Sequence, residues 1–204
     1  MPFDDTYRTI AANSRLIYKE KNSKFISLAI PVNTEIEVNR RLRAIKKEFH
    51  DANHHCYAYR LGYDKNIYRY NDDGEPSGTA GKPIFGQILS FDLTNLLIVV
   101  VRYFGGTKLG VSGLINAYKT AARNLLTDSI IITKTIDETY NIAFDYENMN
   151  LVMKILKDND IKPLDSNFEN SCYVRISVRK TLTEKLKNKL SNIKSLKISL
   201  VQEF

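Results

Sequence analysis

Cysteine is scarce in this sequence: Cys56 and Cys172 are the two present, far apart, among 204 residues. A disulfide scaffold is therefore not expected, and a reducing cytoplasm suits the chain best. Long hydrophobic runs are missing too. No stretch approaches the roughly 18 apolar residues of a membrane span, so no membrane association is expected. The opening MPFDDTYRT has neither the basic nor the apolar segment that marks secretion. Histidine is confined to His50, His54 and His55. On a strand, His54, His55 and Cys56 point alternately to opposite faces, so they do not chelate one ion together. No metal and no cofactor are expected. Cys56 has no acyl-transfer signature around it and reads as a small core residue.

Hydrophobic residues make up 43% and charged residues 26%, ordinary for a globular protein with one large or two small cores. The charge is not balanced. Thirty Lys and Arg face 23 Asp and Glu, a net of +7. Up to Thr133 the count is 18 against 13, a net of +5; beyond it, 12 against 10, a net of +2. A basic excess in the first part favours an anionic partner such as RNA.

Glycine is unevenly placed. Eight of the nine fall between Gly74 and Gly113, six of them in two loops that flank the apolar run Leu96–Val101. That run reads as a strand buried on both faces. Glycine serves where φ must be positive or where backbone comes close to something. The loops are therefore the candidate anion or RNA site. The first supplies Asp73, Gly74, Glu75, Ser77, Gly78, Thr79, Gly81 and Lys82. The second supplies Arg102, Tyr103, Gly105, Gly106, Lys108 and Gly110.

Each loop runs into a helix. The first helix, capped by Ser77 or Thr79 and with Pro83 in its first turn, extends to about Phe91; its start, near Lys82, is an anion site. The second opens near Val111 or Ser112. Leu114, Tyr118, Ala121, Ala122 and Leu125 form its buried stripe. Asn116, Lys119, Thr120 and Arg123 form a basic outer stripe, so Lys119 and Arg123 join the candidates. Both helix starts are expected to meet on one concave surface. Nucleotide fingerprints fail here. Gly110 is followed by Val111 and Ser112 rather than Lys and Ser/Thr, and no G-x-G-x-x-G occurs.

Upstream, Ser14–Lys19 and Lys24–Ile30 read as strands joined by a turn at Asn22-Ser23. Thr34 and Glu37 fit a capping box before the stripe Val38, Leu42, Ile45, Phe49. The outer face of that helix carries Arg40, Arg41, Arg43, Lys46 and Lys47, a solvated face by default. His54–Tyr70 reads as two strands around Gly62 and Asp64. There Tyr57, Tyr59, Tyr63, Tyr68 and Tyr70 alternate with Arg60, Lys65 and Arg69. The pattern suits base stacking with phosphate contact, and equally cross-strand packing. His54 and Tyr57 are secondary site candidates. A competing reading makes Asp73, Glu75 and His54 the acid/base groups of an enzyme acting on a small anionic or peptide substrate. The ligand spacing of a calcium loop is missing.

The first domain closes with a strand at Ile130–Ile132. A boundary without a Pro/Gly linker falls near Lys134–Asp137, giving domains 1–134 and 135–204. The second domain reads as strand Thr139–Phe144, a helix from Glu147, strands Ile161–Phe168 and Cys172–Val178 around a Glu169-Asn170-Ser171 turn, helix Thr181–Ile193 and strand Lys197–Val201. Leu182, Leu186, Leu190 and Ile193 are expected inside. The order β-α-β-β-α-β is ferredoxin-like, and the fold class is α+β. The stacking signature of an RNA-recognition motif is absent.

Asp73–Pro83 and Arg102–Gly110, with Cys56-Tyr57-Ala58-Tyr59 upstream, together resemble the signature of the IMPACT family, over about the whole chain. The resemblance implies an N-terminal domain similar to the second domain of a ribosomal small-subunit protein and to domain IV of elongation factor G. A ferredoxin-like C-terminal domain marks a bacterial-type member. It further implies a non-enzymatic binding role linked to translation, toward RNA or the ribosome. Eukaryotic relatives act on a protein partner in the pathway that senses amino-acid starvation, so a protein-interaction role is the alternative. The resemblance carries over no catalytic residue.

Overall fold

The computed structural model describes residues 5–169 and 172–201. The chain divides into two compact units: Tyr7–Lys134, and Asp5 and Thr6 joined to the chain from Thr135 onward.

The first unit holds β1 (Thr6–Ile10), β2 (Ser14–Glu20), β3 (Ser23–Pro31), α1 (Glu35–Glu48), β4 (His54–Leu61), β5 (Ile67–Asn71), α2 (Gly81–Ser90), β6 (Leu96–Tyr103), α3 (Gly110–Asp128) and β7 (Ile131–Thr135), apart from the end residues Thr6 and Thr135. β1 and β7 form a small sheet of their own. The main sheet runs β2-β3-β6-β4-β5 and is antiparallel throughout. β6 is its middle strand because Leu96–Val101 are all 0% exposed, as an unbroken apolar run requires. Alternate side chains feed two cores. Leu96, Ile98 and Val100 join Phe25, Cys56 and Ala58 beneath α2 and α3. Leu97, Val99 and Val101 join Ile26, Tyr59 and Leu61 against Val38, Leu42 and Ile45 of α1.

Local chemistry sets the ends of these elements. Thr34 Oγ1 accepts the Glu37 N–H at 3.2 Å, and the Glu37 carboxylate accepts the Asn33 N–H at 2.8 Å. Two orphan donors at the start of α1 are thereby satisfied. The β2–β3 turn lies one residue earlier than expected. Lys21 and Asn22 form it, with φ of 43° and 64°, while Ser23 is already a buried strand residue. Two left-handed residues give the twist that two-residue hairpins need. α3 opens at Gly110, and Ile130 is an exposed link before β7.

The second unit holds β8 (Asp137–Phe144), α4 (Met149–Asp158), β9 (Pro163–Asn167), β10 (Cys172–Arg179), α5 (Lys180–Leu190) and β11 (Lys197–Leu200). Its sheet order is β11-β8-β10-β9, with every pairing antiparallel. Ile142, Val174 and Ile176 pack against Val152 and Leu156 of α4 and Leu186 and Leu190 of α5. Leu182 departs from expectation: it is 47% exposed. The buried stripe of α5 is Thr183, Leu186, Leu190, and the Thr183 hydroxyl donates to Glu138 at 3.2 Å. The i, i+3, i+7 spacing holds, but a threonine whose hydroxyl finds an acceptor fills its first place. Asn170 and Ser171 of the expected turn lie outside the described residues. Among the described residues, no helix is long and apolar enough to cross a membrane.

Candidate anion-binding cleft

A cavity of about 420 Å³ opens where the two glycine-rich loops meet. The loop after β5 contributes Glu75 and Pro76. The loop after β6 contributes Phe104, Lys108, Leu109 and Gly110. Asn53 and His54 come from the start of β4, Arg102 from the end of β6, and Val111 and Leu114 from α3.

At this cavity lies a buried polar cluster. Arg102 Nη1 donates to Glu75 Oε1 at 2.6 Å, and the two side chains are 6% and 3% exposed. The Tyr118 hydroxyl donates to the same oxygen at 2.8 Å. Arg102 Nη2 donates to Ser23 Oγ at 3.3 Å, and its guanidinium lies 5.6 Å and 5.5 Å from the rings of Phe25 and Phe104. Its Nε is buried and finds no acceptor among the described residues. The Cys56 thiol donates to the Asp72 carbonyl at 3.0 Å and lies 3.3 Å from the Tyr118 hydroxyl. Burial pushes both the thiol and this hydroxyl well above their ordinary ranges. Both keep their protons, and Cys56 is no thiolate nucleophile.

His54 Nδ1 lies 2.9 Å from the Asp73 carbonyl. A carbonyl only accepts, so Nδ1 carries the proton. In the neutral ring Nε2 then holds its lone pair, 3.8 Å from Glu75 Oε1.

The first helix start departs from expectation. Neither Ser77 nor Thr79 caps α2. Instead Asp72 reaches across the loop: Oδ1 accepts the N–H groups of Ala80 and Gly81 at 2.9 and 2.8 Å, and Oδ2 accepts that of Gly78 at 2.9 Å. The chain's own carboxylate therefore occupies the anion site expected there. Thr79 is buried and donates to the Pro76 carbonyl, Ser77 and Lys82 are exposed, and none of the three lines the cavity. Gly81 is glycine for contact: a Cβ there would stand 2.6 Å from the Asn71 backbone. Removing the carboxylate with Asp72→Ala is expected to cost about 1–2 kcal/mol in urea unfolding. Millimolar sulfate should then stabilise the variant more than the parent, because a vacated helix start takes an anion. Equal stability of the two proteins would refute the cap.

The start of α3 is different: among the described residues no side-chain oxygen accepts its first N–H groups. Its first amides, with Lys108 beside them, belong to residues that line the cavity. One helix start, not two, is thus open to an anion.

Other candidates lie elsewhere. Asp73 is spent on architecture: its oxygens accept from Lys46 Nζ at 2.8 Å and the His55 N–H at 2.7 Å. Burial raises its pKa, but these contacts outweigh burial and hold the carboxyl below its usual range. Gly74 and Gly106, both with positive φ, shape the turns without lining the cavity. Tyr57 and Tyr103 pack against the α1-side core, on the other face of the sheet from Leu109 and Leu114. The Tyr103 hydroxyl donates to Asp51 at 2.7 Å. Lys119 and Arg123 are exposed on α3, outside the lining. Sequence reasoning missed Asn53, Pro76, Phe104, Leu109, Val111 and Leu114 as lining residues. It read Tyr118 as plain core, although a hydroxyl on an apolar stripe signals a buried partner.

The Impact N-terminal domain family matches residues 21–126, a span that includes every cavity residue. IMPACT family member YvyE of Bacillus subtilis (strain 168) is 32% identical over 190 residues, covering 90% of this chain and 88% of its own. IMPACT family member YigZ of Escherichia coli (strain K12) is 28% identical over 197 residues, covering 95% and 97%. A solved structure described as that of a hypothetical protein is 27% identical, covers 99% of this chain and 100% of its own, and superposes with a TM-score of 0.74.

Proposed function

The chain belongs to the IMPACT family, and from that premise we propose that it is a non-enzymatic binding protein linked to translation. It takes a phosphate of RNA, free or within the ribosome, into the cleft at the start of α3. One observation carries the reading: Lys108, the uncapped first turn of α3 and the buried Arg102, whose Nε lacks an acceptor, all border one cavity. A helix start beside a lysine favours negative charge. Phe104, 46% exposed at the cavity, offers an aromatic face to a base.

The acid/base alternative is weaker because its carboxylates are committed: Glu75 to Arg102 and Tyr118, Asp73 to Lys46 and His55. We read the first unit as the domain similar to the second domain of a ribosomal small-subunit protein. We read the second as a ferredoxin-like plait, supported by its β-α-β-β-α-β element order. A cytoplasmic site of action goes with this reading, and both cysteines are free and buried.

Binding to ribosomes and to labelled RNA across a salt series tests the proposal. Wild-type affinity should fall linearly with salt on logarithmic axes, and Lys108→Ala should lower that slope by about one. Val111, 60% exposed, lies in the first turn of α3. Glutamate there suits the helix dipole but repels a ligand's phosphate. Val111→Glu should therefore fold normally and lose binding. Absence of wild-type binding at low salt, or unchanged binding by Val111→Glu, would overturn the reading.

A further inference from the structure

The cavity uses nothing from β5, yet β5 gathers much of the exposed apolar surface of the first unit. Ile67, Tyr68 and Tyr70 are 49%, 54% and 41% exposed, and Leu89 of neighbouring α2 is 47% exposed. The Tyr68 and Tyr70 rings stack on Phe85, with centroids 4.9 and 5.7 Å away. β5 also ends its sheet, with β4 as its one neighbour among the described residues. Its outer edge presents unpaired backbone N–H and C=O groups, a template for another strand.

The other edge of the sheet is guarded. On β2, Arg15 and Lys19 flank the exposed Ile17. On β5 the central Arg69 is the one charge, and it says what strand fits. Arg69 shares the α1-side face with Tyr59, whereas Tyr68 and Tyr70 share the α2-side face with Arg60 and Ala58. Were a second copy to pair its β5 antiparallel over the full strand, the twofold axis would set one Arg69 directly against the other. Like charges so placed repel, so the edge rejects itself.

RNA fits poorly as well. Phe85 already stacks against both tyrosines. The nearby Arg60 and Lys65 are paired with Asp92 at 3.7 and 2.5 Å, which leaves Arg69 alone to meet a backbone of successive phosphates.

We propose that β5 takes up an extended segment of a protein partner as an added antiparallel strand. The segment carries a carboxylate between two apolar side chains. Opposite Arg69, the carboxylate pairs with the guanidinium. Opposite Tyr68 and Tyr70, the two apolar side chains extend the aromatic face around Phe85. A one-residue slip turns every side chain to the wrong face, so the apolar-acidic-apolar order is itself the specificity.

The test uses the full chain and two blocked peptides, one centred on Val-Glu-Val and the other on Val-Lys-Val. Amide resonances are followed by NMR and affinities by fluorescence anisotropy. The acidic peptide should shift the amides of residues 67–71 and leave those of the cavity unmoved. Arg69→Glu should weaken the acidic peptide roughly tenfold and strengthen the lysine peptide. That reversal cannot come from a variant that has merely unfolded. Three results would each overturn the proposal: neither peptide moving β5, equal affinity for both peptides, or a short RNA moving the same amides more strongly. Self-association of the wild type through β5, seen by sedimentation, would do so too. The cleft reading is tested separately, by the loss of salt-dependent binding in Val111→Glu, a residue outside β5.

Discussion

Glu75→Ala is expected to destabilise the Tyr7–Lys134 unit by about 3–5 kcal/mol, the usual cost of removing one partner from a buried ion pair. Arg102 is 5% exposed and has no second carboxylate within reach among the described residues. Ser23 contacts it at 3.3 Å, but a hydroxyl cannot neutralise a guanidinium. Tyr118 loses its acceptor in the same step. Urea unfolding followed by circular dichroism gives the loss directly. Glu75→Gln, which keeps an oxygen for Tyr118 and drops the charge, should fall between the two. The double change Glu75→Leu with Arg102→Met should recover much of the loss, because a buried pair outperforms an orphaned charge without outperforming good apolar packing. A Glu75→Ala protein as stable as its parent would mean that water reaches Arg102 freely.

Gly105→Ala is the second large effect, about 3 kcal/mol, at the upper end of overpacking. A Cβ at Gly105 would lie 2.1 Å from the Asn22 carbonyl carbon, 2.2 Å from its oxygen and 2.4 Å from the Ser23 nitrogen. All three atoms are backbone, so no rotamer change relieves the clash. The β2–β3 hairpin would have to retreat, and with it the Ser23 hydroxyl that accepts from both Gly105 and Arg102. Gly106→Ala supplies the contrast. Its φ is +84° but nothing lies within 4 Å of the added carbon, so only the left-handed backbone is penalised, at about 1–2 kcal/mol. Comparable losses from the two substitutions would show that conformation, not contact, dictates both glycines.

Features written in short-range chemistry were legible before any coordinates. The Thr34–Glu37 box, the apolar stripes of α1 and α3 and the two-faced β6 each depend on residues within one or two turns of each other. What escaped was carried by side chains acting across a distance in sequence. Asp72 resembles a turn residue, yet it caps a helix eight and nine positions on, because the loop folds back over it. Ser77 and Thr79 have the right chemistry at the right spacing and lose to it. Glu75 and Arg102 were both singled out, but as separate ligands for an anion; their mutual neutralisation depends on β6 running beside β4, which local sequence does not specify. The tyrosine–arginine alternation of β4 and β5 fits two roles equally until the edge position of β5 is known. Leu182 shows the limit of periodicity: counting every fourth residue from Leu190 reaches it, while the helix instead buries Thr183.

β3 and β4 are not neighbours in the sheet; β6, made later, slots between them. As the chain leaves the ribosome, the β2–β3 and β4–β5 hairpins can close, but neither has a strand to lean on. Until Tyr103 has emerged, both leave apolar side chains in water and a bare inner margin open to misjoining. β6 thus acts as the bolt of the assembly, and the stretch of synthesis before it is the period when a chaperone has most to shield.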